Sequence, residues 1–352
     1  YLTIWYVDSD QLKKVDDGDF INSKILPRGK YALAQSKSSI VSQTAEIPPT
    51  DYYSINLEDG KSTLVVKQCS RSAGIIKASP SGQYVTYFKE GDYYVFDNEI
   101  GKSLNLTANI NVAFQNVEFD NAGENPGYYS PGFTSDSRYI ILYDQYDVWL
   151  FSPNGKMAKK ITNGRETKTR FRVEIHKNDK QFDNVAELSR ESIDIQKGII
   201  LAARGSDMAS GYYRFNENEG LQKFNYAKSK SSRIVKAKSA NIFLYTEETE
   251  AEPPKLITVD KSRRTPKMIF QSNKHSFRYQ WSHSELVTYQ NSSGDTLKGV
   301  LMYPADYQVG KKYPMVVYIY ERLSSTRYDY INPVASHHIG FSPPTYLLEG
   351  YF

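Results

Sequence analysis

The chain has 352 residues, long enough for two domains or one large β architecture with a sizeable core. Its 44 basic and 40 acidic residues leave a net charge of +4 spread along the sequence, so no polybasic patch for nucleic acid or a membrane surface is implied. A single cysteine, Cys69, excludes an intrachain disulfide and a thiolate metal site, and no apolar run of about 18 residues is present to cross a membrane as a helix.

Tyrosine is abundant at 29 residues, with 16 phenylalanines, and aromatic segments between polar turns argue for β structure. The chain begins at Tyr1 rather than Met, which suggests that upstream sequence has been removed. Loss of a signal peptide with it would fit a periplasmic or secreted location.

In chain order, Tyr52–Leu57 with Ser62–Val66 reads as the outer half of a β unit, and Thr3–Val7 with Gln11–Val15 belongs either to that unit or to one before it. Ser79 to Thr107 then matches Thr134 to Thr162 at a spacing of 55 residues. The first copy opens S-P-S-G-Q-Y-V-T-Y-F and the second T-S-D-S-R-Y-I-I-L-Y. Each has a polar turn, a strand, an acidic turn, an aromatic return strand, a Gly-Lys turn and an outer strand ending in Thr107 or Thr162. With a first strand supplied just upstream, this is the pattern of a β-propeller blade. Weaker copies follow at Ile199–Ala202, Tyr212–Phe215 and Leu221–Phe224, then at Ile242–Tyr245, Lys255–Val259 and Lys267–Phe270. About five blades are visible, and the propeller is expected to be incomplete in this chain.

From Glu285 the pattern changes to E-L-V-T-Y-Q-N-S-S-G-D-T-L-K-G-V-L-M-Y-P, a hairpin with turn chemistry at Ser293-Gly294-Asp295 and an end at Pro304. Met315–Tyr320 is a continuous apolar and aromatic run, expected to form a strand buried on both faces of a mostly parallel sheet. Leu347–Phe352 reads as a helix end, a glycine cap and the start of another strand.

This last segment resembles the entry into the catalytic domain of the prolyl oligopeptidase and dipeptidyl peptidase family of serine peptidases. A propeller ahead of it repeats that family's two-domain plan. The resemblance implies a mainly β chain, with a propeller over residues 1–280 and the opening strands of an α/β-hydrolase domain over 281–352. It further implies an oligopeptide substrate admitted through the propeller, a Ser-His-Asp triad, no cofactor and no metal, and it leaves room for a homodimer. It also places Tyr320 at the strand end whose tyrosine hydroxyl assists the oxyanion hole. Many relatives carry Gly-Gly after that tyrosine, where this chain has Glu321-Arg322.

No G-x-S-x-G elbow occurs in the 352 residues, so the triad is expected beyond Phe352 and this chain alone is expected to be inactive. Cys69 reads as an inert thiol without a basic neighbour in sequence. The adjacent pair His337-His338 lacks ligand spacing for a metal, and His176, His275 and His283 are isolated. The acidic run Glu247 to Glu252 reads as a solvated hairpin tip rather than a recognition site for a substrate amine. Arg165, Arg170 and Arg172 read as exposed linker charge, with a channel site for peptide carbonyls or a carboxylate as the sharper alternative. A non-enzymatic propeller with a degenerate hydrolase domain is the competing function. No paired carboxylates support a sugar-cleaving one.

Overall fold

The computed structural model describes residues 2–15, 18–36, 49–69, 76–120, 124–174, 193–260, 265–320, 322–333 and 342–352. Strands β1 (Thr3–Tyr6) and β2 (Gln11–Lys14) form a two-stranded sheet. Five four-stranded sheets follow, each with its strands hydrogen-bonded in sequence order. They comprise β3 to β6 (Phe20–Ile25, Tyr31–Ser36, Thr50–Asn56, Ser62–Cys69), then β7 to β10 (Lys77–Ala78, Tyr84–Lys89, Asp92–Asp97, Lys102–Asn105). Next come β11 to β14 (Gly132–Phe133, Ile140–Tyr143, Val148–Phe151, Ala158–Lys160) and β15 to β18 (Thr169–Val173, Ile199–Gly205, Ser210–Asn216, Gly220–Ala227). The fifth holds β19 to β22 (Lys230–Lys236, Ile242–Glu248, Lys255–Asp260, Lys267–Gln271), and the hairpin β23 (Ser284–Gln290) and β24 (Thr296–Met302) ends the series.

The chain divides into two compact units, residues 1–200 with 215–221, and residues 201–214 with 222–352. In the first, β1–β2 is a sheet of its own, whose Leu2, Ile4 and Val15 pack on Ala32, Ala34, Ile55 and Leu57 of the next sheet. Cys69 is buried at the end of β6, where its thiol points to the Phe88 carbonyl at 3.7 Å. Burial pushes it up to about 12, so it is a neutral packing group.

The 55-residue repeat is a repeat of hydrogen bonds as well as of strands. Asp92 accepts from the Thr107 hydroxyl at 2.6 Å, and Thr107 in turn accepts from the Tyr93 N–H at 3.1 Å. One repeat later, Asp147 accepts from the Thr162 hydroxyl at 2.6 Å and Thr162 accepts from the Val148 N–H at 3.0 Å. The entry turn is likewise copied: the Ser79 hydroxyl accepts from Tyr84 N–H at 3.0 Å and the Thr134 hydroxyl from Tyr139 N–H at 3.1 Å. That turn needs a left-handed residue, supplied by Gly82 (φ +73°) and by Ser137 (φ 60°). A side chain at Gly82 would also meet the Pro27 carbonyl oxygen, so only the first copy requires glycine.

The two copies bury a shared core in which Phe88, Tyr93 and Val95 meet Phe133, Ile140, Leu142 and Phe151. Phe114, from the connection between them, lies in edge-on contact with Tyr93, Trp149 and Phe151 at ring separations of 6.3, 6.0 and 5.9 Å. In the second unit, Tyr212 on Tyr245 (5.7 Å) and Phe224 on Phe243 (5.2 Å) pack β17 and β18 against β20.

Candidate functional site

The run Met315–Tyr320 does not form the strand expected from its composition. It has no regular strand, and Met315, Val317, Tyr318, Ile319 and Tyr320 are exposed, Ile319 by 85%. One rung of pairing is made. The Val316 N–H donates to the Phe352 carbonyl and the Phe352 N–H to the Pro314 carbonyl, both at 2.9 Å, which is the pattern of a parallel pair between Met315 and Phe352. A strand of a parallel sheet is buried only when neighbours flank it and helices cover both faces. Among the described residues the exposed side chains of this run show that its faces are not covered in that way.

The path between the two strands includes a helix, α2 (Pro343–Leu348). Its end is a Schellman cap: Gly350 at φ +76° donates to Leu347 at 3.3 Å and Tyr351 to Tyr346 at 3.0 Å. The cap turns the chain toward Pro314. Tyr320 lies at the far end of the extended run, 63% exposed. Nearer its start, Tyr303, Tyr307, Tyr313 and Phe352 form an aromatic cluster with ring separations of 5.0 to 5.6 Å.

His283 joins that cluster as a structural ring, stacked on Tyr303 at 4.2 Å. The Tyr303 hydroxyl donates to the Glu285 carboxylate at 2.6 Å, and this bond, which the ionised phenol would lose, pushes it up to about 12. His275 sits in a short 3-10 turn, Lys274–Arg278. His176, His337 and His338 lie outside the described residues. Among the described residues no cluster of His, Cys, Asp or Glu is placed to hold a metal ion, and no helix is long and apolar enough to cross a membrane.

The acidic run is not a solvated tip. Lys255 bridges Glu247 and Glu252, each at 3.1 Å, and Lys230 on β19 bridges Glu248 at 3.4 Å and Asp329 at 2.9 Å. Burial raises the Glu248 carboxyl above the usual range, and Lys230 opposes that shift. Glu250 accepts the Ser284 N–H at 3.2 Å, and its same oxygen lies 3.0 Å from the Ser284 hydroxyl. The tip holds its shape because the Thr249 hydroxyl accepts from the Ala251 and Glu252 N–H groups at 3.3 and 3.0 Å. Sequence spacing gave no sign of this, since Ser284 and Asp329 are remote along the chain.

Of the three arginines, Arg165 and Arg170 are exposed, as expected for linker charge, though each has an acidic partner, and only Arg172 departs from that reading. Arg172 is largely buried between the rings of Tyr143 (4.6 Å) and Tyr128 (5.3 Å). Its guanidinium donates to the carbonyls of Phe171 at 2.7 Å, Asp144 at 3.0 Å and Gln145 at 3.2 Å, and burial lowers its pKa to about 10. Arg170 pairs with Glu118. Arg165, in the short helix α1 (Gly164–Thr167), reaches buried Asp144 at 3.5 Å, while Asp147 caps that helix through the Gly164 and Arg165 N–H groups. Arg172 fastens β15 to the turn at Asp144–Asp147, and Arg165 with Asp147 fastens α1 to it. Tyr128 and Asp144 were missed in sequence because nothing local marks a residue as the partner of a distant arginine.

No family model matches the chain, and no curated protein matches it significantly. Among solved structures it is similar to a candidate dipeptidyl aminopeptidase IV from Bacteroides ovatus, 16% identical, covering 91% of this chain and 54% of that one, with a TM-score of 0.51. It also aligns with a structure from a study of two prolyl endopeptidases, 13% identical, over 88% of this chain and 44% of that one, with a TM-score of 0.45. Prolyl oligopeptidase B from Galerina marginata aligns at 10% identity over 84% and 40%, with a TM-score of 0.43. The likeness to the Bacteroides ovatus protein carries the fold: a mainly β chain of four-stranded antiparallel blades of the propeller type. The chain spans about half the length of that structure.

Proposed function

We propose that this chain is the propeller, residues 1–280, and the opening of the α/β-hydrolase domain, residues 281–352, of a serine peptidase of the prolyl oligopeptidase and dipeptidyl peptidase class. The observation that carries the reading is the change of sheet type. Antiparallel blades give way, after the β23–β24 hairpin, to a parallel rung between Met315 and Phe352, reached through α2. Parallel pairing reached through a helix is what an α/β sheet requires, whereas the parallel bridge in the blade region, Thr134 with Ile193, is isolated and lies outside the blade strands.

On this reading a short peptide enters past the propeller and is cleaved by acyl transfer to a serine supplied, with its histidine and aspartate, by sequence beyond Phe352. Tyr320 supplies a phenol hydroxyl to the tetrahedral oxyanion, which bears more negative charge than the ground-state carbonyl. Its exposure here leaves that hydroxyl free to turn toward a reacting group. Tyr320→Phe in the intact gene product should lower kcat by roughly one to three orders of magnitude with KM little changed, measured on a chromogenic peptide. An unchanged kcat in a folded variant would overturn the assignment of Tyr320.

A further inference from the structure

The division of the chain into two compact units does not fall between the last blade and the segment that follows it. It crosses the fourth sheet, and the second unit holds the whole fifth sheet, β19 to β22, together with the hairpin β23–β24 and residues 322–333. Side-chain bonds account for this grouping. On β19, Lys230 reaches Asp329 at 2.9 Å and Glu248 at 3.4 Å, and Glu248 on β20 also accepts the Tyr330 N–H. Beyond β20, Glu250 lies 3.0 Å from the Ser284 hydroxyl, which in turn lies 3.1 Å from the Arg327 carbonyl. Arg327 donates to the Asp207 carbonyl at 3.0 Å, and Lys298 on β24 donates to the Ser206 carbonyl at 2.8 Å. Trp281 packs on Tyr330 with ring centroids 5.1 Å apart, and Tyr328, between Arg327 and Asp329, is buried.

We infer that residues 327–330 are a clasp that makes the fifth sheet and the segments 284–302 and 322–333 one cooperative unit, which opens as a whole and apart from sheets β7–β14. A sheet in a repeat architecture draws its stability from the sheets beside it, and on that ground alone the fifth would open with the others. Here Arg327, Asp329 and Tyr330 are tied to β19, to β20 and to the turn before β17, and bonds with a charged partner are roughly twice as strong as neutral ones. Lys230 serves two of the ties at once. It pairs with Asp329 directly, and it neutralises the Glu248 carboxylate that holds Tyr330. Residues 327–330 can leave the fifth sheet only when these attachments are released together, which is the condition for a cooperative opening. The clasp rests on these contacts and not on the peptidase reading.

The test is native-state hydrogen exchange of the intact gene product, followed by mass spectrometry over a series of sub-denaturing guanidinium concentrations. Peptides from β19–β22, from β23–β24 and from residues 322–333 should converge on one opening free energy, and those from β7–β14 on another. Convergence of 322–333 with β7–β14, or its failure to converge with β19–β22, overturns the cooperative unit. Asp329→Asn and Lys230→Met should each raise exchange at 322–333 about ten-fold or more, the change expected on losing a hydrogen bond to a charged partner, and should leave β7–β14 unchanged. Lys230→Arg, which keeps a cation for both carboxylates, should retain most of the protection. Unchanged exchange in both disruptive variants overturns the clasp. Where Lys230→Met does not fold, Ser284→Ala removes only the hydroxyl between Glu250 and Arg327, and unchanged protection at 322–333 in that variant and in Asp329→Asn overturns the clasp equally.

Discussion

Sheets β7–β14 and the run Met315–Tyr320 are similar in composition and opposite in fate. Tyr84–Lys89 finds its partner strand across a two-residue turn, and every residue from Tyr84 to Lys89 is paired with one from Asp92–Asp97. Met315–Tyr320 has more apolar side chains, but the parallel partner described for it, Phe352, is separated from it by a crossover. The contrast shows that apolar content marks a strand that needs cover, while burial depends on whether the partner is local. Antiparallel neighbours bring their own partner and parallel ones do not.

Four substitutions sharpen or break that contrast. The largest effect should come from Phe114→Ala, which empties the ring cluster shared by the two repeat sheets and should cost about 3–5 kcal/mol in chemical denaturation. A cost below about 1 kcal/mol would mean that the sheets do not rely on a shared core. Thr107→Val and Thr162→Val should each cost about 1–3 kcal/mol, because each leaves an aspartate and an N–H group without its bridge. The two should agree closely if the repeat is one device used twice. In the 352-residue chain by itself, Ile319→Ser should have the smallest effect, within about 0.5 kcal/mol, since a side chain exposed there gains nothing from its folding. A large loss there would place Ile319 in a core and contradict its exposure.

Much of the fold was legible because blade turns carry local chemistry. The pairs Asp92–Thr107 and Asp147–Thr162, and the turns at Gly82 and Ser137, recur at one spacing, so the repeat could be found without any knowledge of contacts. The first strands of the last two four-stranded sheets, β15 (T-R-F-R-V) and β19 (K-S-S-R-I-V-K), were not expected, since their alternating charge resembles a surface loop. Their charges are neutralised or solvated by remote partners: Arg172 by backbone carbonyls and tyrosine rings, Lys230 by Glu248 and Asp329. The acidic run was misread for the same reason. A cluster of carboxylates looks solvated until the lysines that neutralise it are known, and those are set by strand pairing rather than by sequence distance.

The account's central claim is tested most directly by labelling the intact gene product with a fluorophosphonate probe and mapping the modified residue by mass spectrometry. The account predicts one labelled serine outside residues 1–352 and none within them, because no nucleophile elbow occurs in this sequence. A labelled serine within 1–352, or no label on the folded intact protein, would contradict it.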